Sequence, residues 1–208
     1  MEAKNRKRKE VKGSPFVIVY TTGVSEIMQR KALWITQTAV LLALLIAVQA
    51  VTAGLGNTLI TGSLVNLILI VAVTTGGLAS GITIAVLSPI FAFIFGIGPA
   101  FPQIVFCIAI GNAVLVAIWH LVAGVTKKQT IINFLVAAVV GAVAKFGVLY
   151  LSIVQFVVPI LLKMPAPKAA MVSGAFSFPQ LITALVGGGL AILIVPILSK
   201  ALNHQRVG

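Results

Sequence analysis

Acidic side chains are almost absent from this sequence. Among its 208 residues only Glu2, Glu10 and Glu26 are acidic, so no Asp or Glu follows position 26. Proton- and sodium-coupled transporters, di-metal enzymes and carboxylate hydrolases normally need Asp or Glu within the membrane or the active site. The sequence therefore argues against all three classes, and we expect no catalytic residue and no metal ligand in the chain.

Charged residues and cysteine are also scarce. Only 9% of the residues are charged and 60% are hydrophobic, whereas soluble domains carry about 25% charged residues. Most of the chain must therefore be surrounded by lipid. The single cysteine, Cys107, cannot form a disulfide within the chain. The sequence places no His or cation next to it that would activate its thiolate.

Nucleotide-binding and metal-binding motifs are missing too. The chain has no Gly-x-x-x-x-Gly-Lys-Ser/Thr sequence, and the run from Gly54 to Asn57 does not complete a dinucleotide-binding fingerprint. His120 has neither a second His nor an acidic residue beside it, so we do not expect it to bind a metal. The sequence predicts that the chain itself does not hydrolyse ATP.

Six apolar segments approach the ~20 residues that a helix needs to cross the hydrocarbon core. They cover residues 33–53, 58–73, 78–95, 101–125, 130–161 and 169–198. The predicted fold is an all-α integral membrane bundle of six transmembrane helices. The fifth and sixth segments are too long for upright helices, so we expect tilt, a kink or an extension near Pro159, Pro179 and Pro196.

The basic residues indicate the orientation of the chain. A basic arm (1–30), which we expect to be disordered, contains six of them between Lys4 and Lys12, and Lys31 lies at the edge of the first apolar segment. By the positive-inside rule the arm is cytoplasmic, and six spans return the tail (201–208) to the same side of the membrane domain (31–200). No aromatic residue is interleaved with the bases from Lys4 to Lys12, which favours contact with lipid over nucleic acid.

Small residues recur at every fourth position of the first segment, at Ala39, Ala43 and Ala47. On a helix they share one face and allow another helix to approach closely. Such a stripe can dock on a partner subunit or pack within the chain's own bundle, and the spacing is compatible with both.

Lys145 is the one Lys or Arg within a predicted span. A cation near the bilayer centre costs about 2.5–3.5 kcal/mol on insertion scales. Because no carboxylate follows Glu26, we expect its partner to be a backbone carbonyl or water, a lipid headgroup reached by snorkelling, or an anionic ligand. A neutral buried lysine is the remaining alternative. On an α-helix its face would also hold Gly141, Ala142, Leu149, Ser152 and Phe156.

Other polar side chains fall at a similar depth, and we predict that several of them form a substrate site with Lys145. The predicted partners are Asn66, Gln103, Asn112, Tyr150, Ser152, Gln155 and Ser177; Ser173 and Gln180 lie at the same depth. Amides and hydroxyls around a lysine suit a small organic anion better than an inorganic ion. Each residue could instead form an interhelical hydrogen bond.

Two runs carry a family resemblance, Thr61-Gly-Ser-Leu-Val-Asn66 and Gly96-Ile-Gly-Pro-Ala-Phe-Pro-Gln103. Together with the six spans and the alanine stripe, they resemble the substrate-binding S component of energy-coupling factor (ECF) vitamin transporters over residues 31–200. Within that family the sequence is most similar to the pantothenate-specific group.

The resemblance implies a multi-pass subunit of the bacterial plasma membrane that captures a vitamin from outside. It also implies docking through the alanine stripe on a transmembrane scaffold subunit, with two cytoplasmic ATPases that use ATP and Mg²⁺; this chain would hold no cofactor. S components for folate, biotin, cobalamin or riboflavin are alternatives. A self-sufficient channel or facilitator and an integral membrane enzyme are further alternatives from other classes.

Overall fold

The computed structural model describes the backbone of residues 15–124 and 130–207, and the side chains within residues 27–123 and 130–201. All regular secondary structure in these ranges is helical. The elements are α1 (Pro15–Ala53), α2 (Thr58–Ile94), α3 (Pro102–Trp119) with a π-helical turn (His120–Gly124), α4 (Ile131–Leu149) with a π-helical continuation (Tyr150–Leu161), α5 (Ala166–Ala175) and α6 (Phe178–Val207).

Five stretches of the described residues are long and apolar enough to cross a membrane. They are Ile27–Ala53, Thr58–Ile94, Pro102–Ala123, Ile131–Leu161 and Ala166–Ala201. The prediction of an all-α fold is confirmed for the described residues, and these five stretches are compatible with a multi-pass membrane bundle. The number differs from the six predicted segments because the second and third of them fall within the single element α2.

Gly77 interrupts α2 near its middle. Its φ of 79° and ψ of 178° lie outside the helical region, in a conformation that glycine adopts because it has no Cβ. A Cβ placed on Gly81 would lie 2.8 Å from the Cβ of Val73, although residues eight apart in a continuous helix are separated by about 12 Å. The two parts of α2, residues 58–76 and 78–94, therefore fold back against each other.

The long fifth and sixth segments are irregular, as their length predicts. The fifth changes from α-helix to π-helix at Tyr150 and contains Pro159. The sixth is interrupted between Ala175 and Phe178, directly before Pro179, and is thus two helices, α5 and α6. Pro196 lies inside α6 without ending it.

The chain divides into two units, residues 1–36 and 37–208. In the first unit, the described residues are the α1 helix from Pro15, so residues 15–30 are helical, unlike the disordered arm that we expected. The bases from Lys4 to Lys12 lie outside the described residues, as do Lys127 and Lys128. At the other end, α6 continues through the predicted tail to Val207.

Within residues 37–208, helices α2, α3, α4 and α6 pack against one another. Their shared core is apolar; for example, the ring of Trp119 stacks on that of Phe134 at 5.8 Å. Gly187 of α6 lies so close to α2 that a Cβ there would be 2.6 Å from the Cβ of Asn66. This close approach brings α6 beside a buried polar residue in the middle of the bundle.

Candidate functional site

A cavity of ≈ 330 Å³ opens among α1, α2, α3, α4, α6 and the loops that connect them. This volume is at the lower end of the range of about 300–1,000 Å³ that is typical of small-molecule sites. Exposed loop residues, including Gly56 and Asn57, line one part of it, and the buried residues Asn66, Asn112 and Lys145 line another. The cavity thus connects an exposed rim to a buried polar floor.

Lys145 is the centre of that floor. Its Nζ donates hydrogen bonds to Oδ1 of Asn66 and to Oδ1 of Asn112, both at 2.6 Å. The side chain is only 3% exposed. An ammonium group has three N–H donors, so these two bonds leave one for a ligand in the cavity.

The two asparagines are themselves held by neighbouring helices. Nδ2 of Asn66 is 3.5 Å from Oγ1 of Thr183, and Nδ2 of Asn112 is 3.5 Å from the carbonyl oxygen of Ala85. Because each amide points its NH₂ group at one of these acceptors, its oxygen faces Lys145. The network joins both parts of α2 to α3, α4 and α6.

A protonated Lys145 has no acidic partner within the described part of the bundle. No Asp or Glu side chain occurs within residues 37–208, and two amide oxygens supply only dipoles. Isolated charges are costly in a medium of low dielectric constant. The floor of the cavity is therefore suited to an anionic group brought by a ligand.

The partners of Lys145 correct one expectation from the sequence. We had considered backbone carbonyls, water, lipid headgroups and ligands, but not the side-chain amides of Asn66 and Asn112 that accept its hydrogen bonds. The side chain is buried, so it does not snorkel to the surface. These contacts join residues 79 and 33 positions apart, a separation that the sequence pattern of a single span does not reveal.

Three of the predicted substrate residues, Lys145, Asn66 and Asn112, meet in the cavity, and the other five are not among its lining residues. Gln155 donates from Nε2 to the hydroxyl of Tyr150 at 3.0 Å. Ser152 and Ser177 donate to the carbonyl oxygens four residues before them. Gln103 is exposed near the start of α3.

The π-helical segment explains why Ser152 and Phe156 leave the face of Lys145. The prediction used α-helical spacing throughout residues 130–161, but the helix widens to i→i+5 bonding from Tyr150 onward. Residues after that point are rotated relative to an α-helix. Phe156 is accordingly exposed.

Several lining residues were not predicted as substrate contacts. They include Gln49 and Thr52 of α1 and Thr61 of α2, whereas Gln180 of α6, which we placed at the depth of the site, lines the cavity together with Phe176. Gln49 is the one polar side chain in the run from Ala39 to Val51, and this is the signal that could have identified it. Gln180 donates from Nε2 to the carbonyl oxygen of Ala175 at 3.2 Å, across the break before α6.

The alanine stripe lies on the outer face of α1. Ala39, Ala43 and Ala47 are exposed, whereas Thr38 and Leu45 of the same helix are buried. The stripe therefore does not pack inside the bundle formed by the described residues. It presents a surface of small side chains that another helix could approach.

A second depression, of ≈ 640 Å³, lies between α2 and α3. Its lining is apolar and includes Val86, Phe93, Phe106 and Ala113. It offers no side-chain charge or amide to orient a polar ligand. The smaller cavity at Lys145 is therefore the candidate site.

Comparison of the chain with protein-family models, curated proteins and solved structures gave no match. The geometry of this cavity, the exposed stripe and the sequence motifs are therefore the basis for assigning a function.

Proposed function

We propose that this chain is the substrate-capture subunit of an ECF-type vitamin importer in a bacterial plasma membrane, and that its vitamin is pantothenate. The observation that carries the proposal is a buried cation, Lys145, on the floor of a cavity of small-molecule size. Since no acidic side chain of residues 37–208 can neutralise it, a ligand carboxylate is its natural partner.

Pantothenate matches the chemistry of this cavity. It carries one carboxylate, two hydroxyls and an amide. Lys145 would bind the carboxylate, and the amides and hydroxyls of Gln49, Thr61 and Gln180 line the same cavity. Biotin and folate also carry carboxylates, whereas riboflavin has none and would leave the lysine without a counterion.

The break at Gly77 supports six membrane spans rather than five. If residues 58–76 and 78–94 each cross the bilayer, both termini lie on one side, and the charge distribution favours the cytoplasm. Reporter tags at the two termini test this arrangement in intact cells. Protection of both tags from external protease agrees with six spans, and digestion of one alone contradicts it.

The exposed stripe supports docking on a transmembrane scaffold subunit. Ala39, Ala43 and Ala47 leave room for a second helix backbone at close range. In this proposal two cytoplasmic ATPases attached to that scaffold use ATP and Mg²⁺, and this chain contributes recognition alone.

Equilibrium binding to the purified chain tests the ligand assignment. Radiolabelled pantothenate, biotin, folate and riboflavin are each titrated against the protein in detergent or nanodiscs. We expect saturable binding of pantothenate at one site per chain. Saturable binding of riboflavin in place of the acids would contradict the role assigned to Lys145.

A further inference from the structure

Gln49 carries a buried acceptor without a hydrogen-bond partner. Within the part of the chain that the structure describes, its Oε1 is shielded from solvent and forms no hydrogen bond. Leaving such an atom unsatisfied is costly, so buried carbonyl oxygens are nearly always paired in proteins. Ser88 Oγ is unpaired as well, but Gln49 lines the cavity and Ser88 does not.

The position of Gln49 places it close to the level of Lys145. A hydrogen bond of 2.8 Å between Thr61 and Thr52 connects α2 to α1. Both helices run from this bridge into the bundle, away from the loop of residues 54–57. Gln49 lies three residues, about 4.5 Å, beyond the bridge on α1, and Asn66 lies five residues, about 7.5 Å, beyond it on α2. Since Asn66 accepts from Lys145 at 2.6 Å, Gln49 and the lysine flank the same inner part of the cavity.

We propose that Gln49 is a specificity-determining residue whose side-chain oxygen accepts a hydrogen bond from a hydroxyl or amide N–H of the ligand while Lys145 binds the ligand's carboxylate. This inference rests on the proposed function, namely that the cavity binds a small organic acid. It adds a requirement: the acid must also carry a donor. A plain fatty acid of similar length satisfies the lysine but leaves Gln49 unpaired.

The test replaces Gln49 with Leu, which has a similar size and no acceptor. Labelled pantothenate is titrated against the wild type, Gln49→Leu and the matched control Gln103→Leu, whose glutamine is exposed and outside the cavity lining. Octanoate, an acid without a donor, is measured by competition. We expect Gln49→Leu to weaken pantothenate about tenfold or more, with octanoate unchanged or tighter. The control should bind both as the wild type does.

The melting temperature of the ligand-free protein separates recognition from a structural role. Removing an unsatisfied acceptor should leave the melting temperature of Gln49→Leu equal to or above that of the wild type. A lower melting temperature would show that the amide is satisfied within the fold and would overturn the proposal.

The outcomes also separate this inference from the proposed function. Unchanged pantothenate affinity in Gln49→Leu, together with lost affinity in Lys145→Met, overturns the role of Gln49 and leaves the acid-binding site standing. Equal weakening of pantothenate and octanoate would likewise overturn it, because donor selectivity would then be absent. If the wild type binds no pantothenate, the assignment of pantothenate as the ligand is wrong. In that case a lower melting temperature of Gln49→Leu would still overturn the role of Gln49, and an equal or higher one would support it.

Discussion

In the proposed function, Lys145 determines which kind of ligand the cavity holds. Its ammonium is fixed by two amide oxygens and lies among residues that offer no acidic side chain. A carboxylate bound there exchanges its hydration shell for a preformed cation site. Losing one member of such a buried pair costs about 2–5 kcal/mol, which corresponds to roughly thirty-fold to several thousand-fold in dissociation constant.

We therefore predict that Lys145→Met weakens pantothenate binding by a factor in that range and affects the alcohol analogue panthenol much less. Stability should change little, because removing the buried cation is favourable while the oxygens of Asn66 and Asn112 lose their donor. Titration of both ligands against purified variants measures the effect. Lys163→Met, an exposed lysine outside the cavity lining, is the control.

If Lys145→Met weakens both ligands equally, or neither, the lysine does not bind the carboxylate. Lys163 and Lys168, both exposed near the start of α5, would then be the next candidates for the anion site.

Replacing Asn112 with Asp tests the role of the lysine charge by adding a negative charge beside it. The carboxylate would stand within hydrogen-bonding distance of Nζ and neutralise it inside the protein. We predict that Asn112→Asp raises the melting temperature of the ligand-free protein and weakens pantothenate at least tenfold, since ligand and aspartate compete for one cation. Asn112→Leu, the matched variant, should lower both the melting temperature and the affinity for pantothenate. Unchanged affinity in Asn112→Asp would show that the ligand anion does not approach Lys145.

At the scale of the helices, Gly77 creates the reversal that places both parts of α2 at the cavity. Its φ and ψ belong to a region that is essentially restricted to glycine. We predict that Gly77→Ala destabilises the protein by about 1–3 kcal/mol. The cost is backbone strain and not a steric clash, because a Cβ at this position meets no neighbouring atom.

Gly189→Ala is the matched control for that change. Gly189 lies within α6 and also has open space around its Cβ position, so alanine should stabilise the helix by about 0.5–1 kcal/mol. Unfolding of both variants in detergent measures the two shifts. Shifts of the same sign would contradict the assignment of strain to Gly77.

The alanine stripe belongs to the same scale. We predict that Ala43→Trp leaves vitamin binding intact but abolishes uptake when the other subunits of the importer are present, because the indole prevents close approach of a partner helix. Leu44→Trp, at the next exposed position of α1 and off the stripe, is the control and should retain uptake. Normal uptake by Ala43→Trp would show that the stripe faces lipid.

Some helix ends were predictable from the sequence, and others were not. The predicted ends of the first and third segments, residues 53 and 95, lie within one residue of the ends of α1 and α2, and the gap predicted between residues 73 and 78 contains the break at Gly77. The sequence predicted a tilt, a kink or an extension near Pro179 without deciding among them, because proline occurs both in the first turn of a helix and at interruptions; the structure has an interruption directly before Phe178. The change to π-helix at Tyr150 has no sequence signal comparable to glycine or proline.

The candidate site was predictable to a similar degree. Polar residues in apolar spans identified Lys145, Asn66 and Asn112, because each is expensive to bury without a partner. Their mutual contacts depend on the packing of helices that are far apart in the sequence. The local pattern of residues along each helix does not reveal this packing. Gln49 was overlooked because α1 was interpreted through its alanine stripe, although the opposite side of that helix contributes to the cavity.

At the scale of the whole molecule, we propose a protein that binds its ligand and depends on partner subunits to drive transport. The sequence has no nucleotide-binding motif, and no carboxylate after Glu26 that could couple transport to an ion. A cavity whose floor is closed by the Lys145 network can hold a ligand without conducting it. Capture and transport are thus expected to be separable properties.

Reconstitution of the purified chain alone into liposomes, with labelled pantothenate outside, separates capture from transport. We expect the label to associate saturably, at about one molecule per accessible chain, in an amount that does not depend on the internal volume of the liposomes. Label that increases with internal volume, or that accumulates above the external concentration without ATPase partners, would contradict a substrate-capture subunit and identify a self-sufficient channel or transporter.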